Sequence, residues 1–200
     1  MTKPYEVKNE RKTEHKVDKI FLDRWSPRSL SKEIKEEDLL SLFEAARWAP
    51  SSYNMQPWRF LYAMNGDKNW HVFFDLLVDF NKMWCKNAGA LILVISKKTN
   101  NEGNPNSLHS FDSGSAWMSL ALQARMKNLI AHGMAGFDKE KAKKVLKISE
   151  DYNIEAMVAV GAQGNIEDTN EQMRGGEKPN TDRRPVKDSI AKGSFPDSWN

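Results

Sequence analysis

Three short stretches carry side chains whose types and spacing suit chemistry on an anion or a heterocycle. Asp23 to Leu30 reads DRWSPRSL, Ala49 to Phe60 reads APSSYNMQPWRF, and Arg183 to Ile190 reads RRPVKDSI. Arg24, Ser26 and Arg28 cluster in the first. A guanidinium is planar, always charged and able to bond two oxygens at once, so arginines beside a serine hydroxyl suit phosphate. Arg183 and Arg184 offer the same chemistry at the far end of the chain. Both pairs also fit ordinary surface arginines or a nucleic-acid patch. In the middle stretch Pro50 stops a helix, so Ser51, Ser52, Asn54 and Gln56 fall on a non-helical loop. Their short polar groups could meet the edge or polar tail of a heterocycle, or could satisfy the loop's own backbone as a turn.

Several familiar sites are missing. No Gly-x-Gly-x-x-Gly follows a strand, no Walker loop occurs, and SGSAW is not a nucleophile elbow. His15, His71, His109 and His132 lack metal-ligand spacing, so no metal is expected. The single cysteine, Cys85, lies between Trp84 and Lys86 and reads as a buried or incidental thiol. An enzyme built on this chain therefore needs a cofactor for its hard chemistry.

The elements that must position these groups read as one domain over all 200 residues, of which 40% are hydrophobic. A net charge of +3, with both signs interspersed, does not indicate a nucleic-acid stripe. Seven tryptophans and nine methionines suit core and interface packing, or an aromatic-rich pocket for a flat ligand. No apolar run reaches membrane-spanning length, and the charged N-terminal segment 1–16 has no signal-peptide core. A soluble cytoplasmic protein is expected.

A helix is predicted from about Glu6 to Asp23, docking through Val17, Ile20 and Phe21. Another starts at the acidic turn Glu36, Glu37, Asp38 and buries Leu39, Leu42, Phe43 and Ala46 before Pro50. Residues 58–64 alternate and are aromatic, which predicts a strand. NWHVFFDLLVDF reads as one helix. ALILVIS reads as a central strand apolar on both faces, as in a sheet covered on both sides. Residues 97–108 form a polar loop long enough to be a lid or a binding loop. FDSGSAWMSLALQARMKN is a buried helix, LIAHGMAGFD a loop or short strand, DKEKAKKVLKI a helix and IEAMVAVGAQG a second buried strand. The last 36 residues, 165–200, show no core pattern and suit a tail that wraps a partner subunit or is partly mobile. Alternating helices and apolar strands give an α/β or α+β class with a sheet between helices.

Taken together, the segments resemble the FMN-dependent nitroreductase family. The likeness runs through RWSPRSL, EAARWAPSSYNMQPWRF, DFNKMWCKNAGALILV with Asn81, NLIAHGMAGFD and DRRPVKDSI, covering most of residues 17–190. The resemblance implies an α+β fold with a mixed β-sheet sandwiched by helices, an intertwined homodimer, and FMN at the interface. It assigns Arg24, Trp25, Ser26 and Arg28 to FMN contacts, Arg24 near phosphate and Arg28 towards phosphate or the pyrimidine side of the ring. Pro50, Ser51, Ser52 and Asn54 would reach the FMN bound mainly by the other subunit. Asn81 would meet the ribityl chain or ring edge, Met134, Ala135 and Gly136 would form the flavin-face loop, and Arg183 and Arg184 would close on phosphate. No side chain is assigned a catalytic role. The backbone of Ala135 and Gly136 would lie near flavin N5. Ala135 stands where family members often have an acidic residue, and Trp84 where some have a lysine near the ring.

By the same resemblance, NADH or NADPH would pass a hydride to FMN N5, and a nitroaromatic, quinone or enal would take the electrons from the same pocket in turn. The alternatives are a flavin reductive dehalogenase, an unsaturated-carbonyl reductase, or a flavin-binding protein for storage or sensing. Neither nucleic acid nor membrane is an expected partner.

Overall fold

A computed structural model describes residues 9–174 and 177–199. Residues 1–8 of the charged N-terminal segment, where the predicted first helix was to begin, lie outside them, as do Gly175, Gly176 and Asn200 of the C-terminal extension.

The elements run α1 (Lys19–Asp23), β1 (Leu30–Ser31), α2 (Glu36–Arg47), β2 (Trp58–Met64), α3 (Trp70–Phe74), α4 (Asp79–Cys85), β3 (Ala90–Lys97), α5 (His109–Met126), β4 (Leu129–Met134), α6 (Lys139–Val145), β5 (Tyr152–Gln163) and α7 (Glu171–Arg174). β5 is the spine of the sheet. One of its edges pairs with β3 and, beyond the end of β3, with β1; the other edge pairs with β4, so that Ala162 faces Ser31 on one side and Leu129 on the other. β2 pairs with the free edge of β3. Among the described residues every strand pairing is antiparallel, where the resemblance implied a mixed sheet.

The alternation of β3 divides the core. Leu91, Leu93 and Ile95 face Phe73, Leu76, Leu77, Trp84, Cys85 and Ala142 from α3, α4, α6 and the turn between α3 and α4. Ala90, Ile92 and Val94 face Leu39, Leu42 and Ala46 of α2 and Ala116, Leu120 and Ala124 of α5. Successive strand side chains point to opposite faces, so a strand apolar at every position needs helices on both sides. Gly161 is required where β1 crosses β5, because a Cβ there would lie 2.4 Å from the Ser31 carbonyl oxygen.

Two helix predictions are corrected. The first helix is confined to Lys19–Asp23, started by the Asp18 carboxylate accepting from the Ile20 amide. Residues 9–18 carry too few apolar groups to bury a helical face, and Val17 and Phe21 are exposed. NWHVFFDLLVDF is two helices, because Leu77 pairs with Phe137, the Val78 amide donates to the Gly136 carbonyl at 3.1 Å, and the Asp138 amide donates to the Leu76 carbonyl at 2.8 Å. A non-local bridge thus takes the place of a helical turn. The 97–108 segment is no open lid: Thr99 pairs with Pro105, and the Asn100 and Asn106 amides close it onto Asn104 and Lys98.

Candidate functional site

The Arg24–Arg28 segment leaves α1 in extended form and is held from two directions. Glu177 Oε1 accepts from the Arg28 amide, the Ser29 amide and Ser29 Oγ, each at 2.7 Å. His132 Nδ1 lies 2.9 Å from the Pro27 carbonyl oxygen. A carbonyl only accepts, so Nδ1 carries the proton. Burial pushes the His132 pKa below the ordinary histidine value, and its neutral ring lies against Trp84 with centroids 4.5 Å apart. Trp84 Nε1 donates to Asn81 Oδ1 at 3.3 Å, and Asn81 Nδ2 donates to the Gly136 carbonyl at 2.9 Å. Pro27, His132, Trp84, Asn81 and Gly136 therefore form one continuous rail. It fixes the arginine segment relative to the Met134–Gly136 loop.

Gly136 has no room for a side chain, since a Cβ would sit 2.6 Å from Asn81 Nδ2 and 3.1 Å from Val78 Cγ2. Its carbonyl takes two bonds, whereas among the described residues neither the Ala135 nor the Gly136 amide donates to a backbone carbonyl. Met134 is buried, with its sulfur 3.8 Å from Cys85 Sγ. The Cys85 thiol is fully buried, and that burial pushes its pKa well up, which suits inert packing rather than a nucleophile. Trp84 is 1% exposed. Its indole is enclosed as a link of the rail between His132 and Asn81.

Arg24, Trp25, Ser26 and Arg28 line a cleft of about 220 Å³ together with Arg11, Glu177, Lys178, Asn180 and Arg183. Arg183 belongs to this cleft, whereas Arg184 lines a separate surface hollow with Lys187, Asp188 and Trp199. The two neighbouring arginines thus part company. Burial lowers the pKa of Arg24, and Arg183 lowers it further. Arg11 is lowered by burial, then by Arg183 and Arg24. Among the described residues no carboxylate forms an ion pair with Arg11, Arg24, Arg28 or Arg183. The one carboxylate lining the cleft among the described residues, Glu177, is engaged with the Arg28 and Ser29 amides and Ser29 Oγ, and guanidiniums crowded beside it without an ion-pair partner suit an anion. A phosphate dianion fits that donor set. Arg28 lies at the rim with its guanidinium 5.5 Å from the Phe80 ring centroid.

The Pro50–Asn54 stretch lies elsewhere. The Ser52 amide donates to Asp112 Oδ2 at 3.1 Å, near the start of α5, and Ser51 Oγ accepts from the Gln56 amide at 3.0 Å. Tyr53, Asn54 and Gln56 adopt φ of 49°, 55° and 46°. Left-handed backbone at three non-glycine residues so close together is strained and persists only where surrounding bonds impose it. The loop is more than a turn satisfying itself, because Asp112 supplies an outside acceptor. The Arg24 segment lines a small cavity with Arg125 and Asn128 at the other end of α5. At 1.5 Å rise per residue, Asp112 and Arg125 are about 20 Å apart on that helix. The structure therefore brings Arg24, Trp25, Ser26, Arg28, Asn81, Met134, Ala135, Gly136 and Arg183 into one region and leaves Pro50, Ser51, Ser52 and Asn54 at the opposite end.

Sequence reasoning missed Arg11, Asp112, His132 and Glu177. His132 sits in a segment singled out for its loop glycine, so its place there was the available signal. Arg11 and Glu177 act through contacts across more than 140 residues and had none. No group of three or more metal-binding side chains occurs among the described residues, and no helix there is long and apolar enough to cross a membrane.

The sequence profile described as "Nitroreductase family" matches residues 22–71, which hold α2 and two of the three opening motifs. An oxygen-insensitive NADPH nitroreductase of Helicobacter acinonychis (strain Sheeba) is 38% identical over 65 residues, spanning 32% of this chain and 30% of that enzyme. A crystal structure described as an oxidoreductase containing FMN is 40% identical, with a TM-score of 0.90, over 96% of this chain and 99% of that one. A nitroreductase family protein from Streptococcus pneumoniae TIGR4 shares the fold at a TM-score of 0.69 and 18% identity, over 88% of this chain and 98% of its own. With a 40% identical relative matched along nearly its whole length, the chain belongs to the nitroreductase family.

Proposed function

We propose that this protein is an FMN-dependent oxidoreductase that takes a hydride from NADH or NADPH and reduces a small acceptor such as a nitroaromatic, a quinone or an enal. The observation that carries this reading is the cleft of guanidiniums that form no ion pair, joined by a rail of contacts to the Ala135–Gly136 loop. It is supported by the FMN content of the 40% identical oxidoreductase and by the NADPH nitroreductase activity of the Helicobacter relative.

When bound, FMN would supply hydride and electron chemistry that no side chain of this region can. The residues of the chain do the rest. Arg24, Ser26 and Arg183 hold the phosphate by charge-assisted bonds. Asn81 fixes the Gly136 carbonyl, and the Ala135 and Gly136 amides, which donate to no backbone carbonyl among the described residues, would be available to the cofactor. A backbone donor there makes the side chain of residue 135 dispensable, which suits an alanine. Arg28, in the cleft lining beside Phe80, would add positive charge to the site and so favour an electron-rich ligand.

Two copies of the chain complete the arrangement. The Ser51–Asn54 loop is anchored at Asp112 and the Arg24 segment borders Arg125, points about 20 Å apart along α5, which does not suit one small ligand shared within a single chain. α5 also presents Phe111 and Met118 to solvent, and Trp48 and Tyr53 lie exposed nearby at 73% and 96%. An apolar surface of that kind suits a partner. A homodimer in which the Ser51–Asn54 loop of one chain meets the cofactor of the other satisfies both facts.

Anaerobic stopped-flow mixing of purified, flavin-loaded protein with NADH and with NADPH tests the reading. Loss of the flavin's visible absorbance with at least one nucleotide, and its return on adding a quinone or nitroaromatic, is expected. A loaded protein that neither nucleotide bleaches is a flavin carrier, and the enzymatic reading fails.

A further inference from the structure

The N-terminal strap, residues 9–14, delivers a guanidinium to the anion cleft from outside the part of the chain that the family profile matches. Arg11 Nη1 donates to the carbonyls of Leu22 and Arg24, each at 2.8 Å, and Nε donates to the Asn180 carbonyl at 2.9 Å. These three bonds lock the guanidinium plane between the arginine segment and the C-terminal tail. On either side, Asn9 Nδ2 donates to Asp23 Oδ1 at 3.2 Å and the Val186 amide donates to Glu14 Oε1 at 3.2 Å. Among the described residues Nη2 of Arg11 has no acceptor, so its two donors are left for a ligand. Carbonyl oxygens orient this cation without neutralising it, and the like charges of Arg183 and Arg24 lie close enough to lower its pKa further.

We propose that Arg11 is a phosphate-monoester ligand of the cleft, and that through it the strap clamps the C-terminal tail, with Arg183, over the bound anion. The inference rests on the reading of the cleft as the FMN phosphate site. It makes both ends of the chain part of the cofactor's closure: the strap contributes the ligand, and the tail is held by the same side chain. A lysine at position 11 would keep the charge but could not span three carbonyls and an anion at once, because its donors sit on a single nitrogen.

The test titrates flavin-stripped wild type, Arg11→Ala and Arg11→Lys with FMN, with riboflavin and with inorganic phosphate, reading flavin fluorescence and thermal protection. Riboflavin lacks only the phosphate, so it separates an anion contact from general damage to the fold. Loss of one charge-assisted contact predicts FMN binding weaker by about tenfold or more in Arg11→Ala. Riboflavin affinity should be unchanged, thermal protection by phosphate lost, and Arg11→Lys only partly restored. Equal weakening of FMN and riboflavin assigns Arg11 a purely structural role and overturns the proposal. So does an Arg11→Ala curve for FMN that superimposes on that of wild type. Wild-type protein that takes up neither FMN nor phosphate overturns the reading of the cleft itself, and the inference with it.

Discussion

The guanidinium cleft and the Ser51–Gln56 loop stand at opposite ends of α5 and are held by opposite means. The cleft concentrates like charges, Arg11, Arg24 and Arg183, that disfavour one another until an anion arrives. The loop carries strained backbone at Tyr53, Asn54 and Gln56, held by the buried Asp112 carboxylate and by Ser51. One region stores unfavourable electrostatics and the other unfavourable dihedrals. The contrast teaches where each is vulnerable: cleft substitutions should change ligand binding and spare the fold, whereas loop substitutions should change the fold first.

Substitutions that separate the two responses are ordered here by expected effect. Arg24→Ala and Arg183→Ala should each weaken FMN retention by about tenfold to a hundredfold, the worth of a charge-assisted contact. Neither should lower the melting temperature of the flavin-free protein, because each removes repulsion; wild-type flavin content in both would remove the phosphate assignment. Next, Gly136→Ala forces a Cβ against the tethered Asn81 amide and should destabilise by about 1–3 kcal/mol, read by urea denaturation. A variant as stable as wild type would mean that the rail yields at that point.

At the loop, Asp112→Ala leaves the Ser52 amide without its acceptor and should lose about 1–3 kcal/mol of stability. Asn54→Ala gives up a residue that tolerates φ of 55° and should lose about 1 kcal/mol, with Asn54→Gly close to neutral. If the alanine and glycine variants melt alike, strain is not what Asn54 relieves.

The smallest effect is on pH dependence. Burial lowers the His132 pKa; the Pro27 carbonyl bond and Glu177 oppose this, while Arg28 and Arg24 add to it. Between that lowered value and about 6.5, the unfolded chain binds a proton that the folded chain refuses. The contribution of the neutral ring to stability is therefore complete above about pH 6.5 and declines as pH falls below it. The melting temperature of wild type should drop across that window more than that of His132→Gln, and parallel profiles would show that the ring titrates normally.

Much of this was legible in the sequence because it is local. The run ALILVIS declares a strand covered on both faces, and β3 is one. RWSPRS sets two arginines and a hydroxyl within five residues, and they do line one cleft. What escaped depends on distant partners. The break between α3 and α4 comes from Leu77 meeting Phe137, a contact that no helical periodicity records. Arg11 sits in a charged stretch that resembles a solvated helix, and only the Leu22, Arg24 and Asn180 carbonyls give it a place. The parting of Arg183 from Arg184 follows from the path of an extended tail, where adjacent side chains face different ways.

Sedimentation velocity of the freshly purified protein, recorded at the visible flavin absorbance, tests the central claim most directly, because it reads cofactor and assembly together. The account predicts a yellow boundary moving at twice the 22.9 kDa chain mass, with FMN as the flavin extracted from it. A colourless protein that refuses added FMN, or a flavin-loaded single chain, would contradict it.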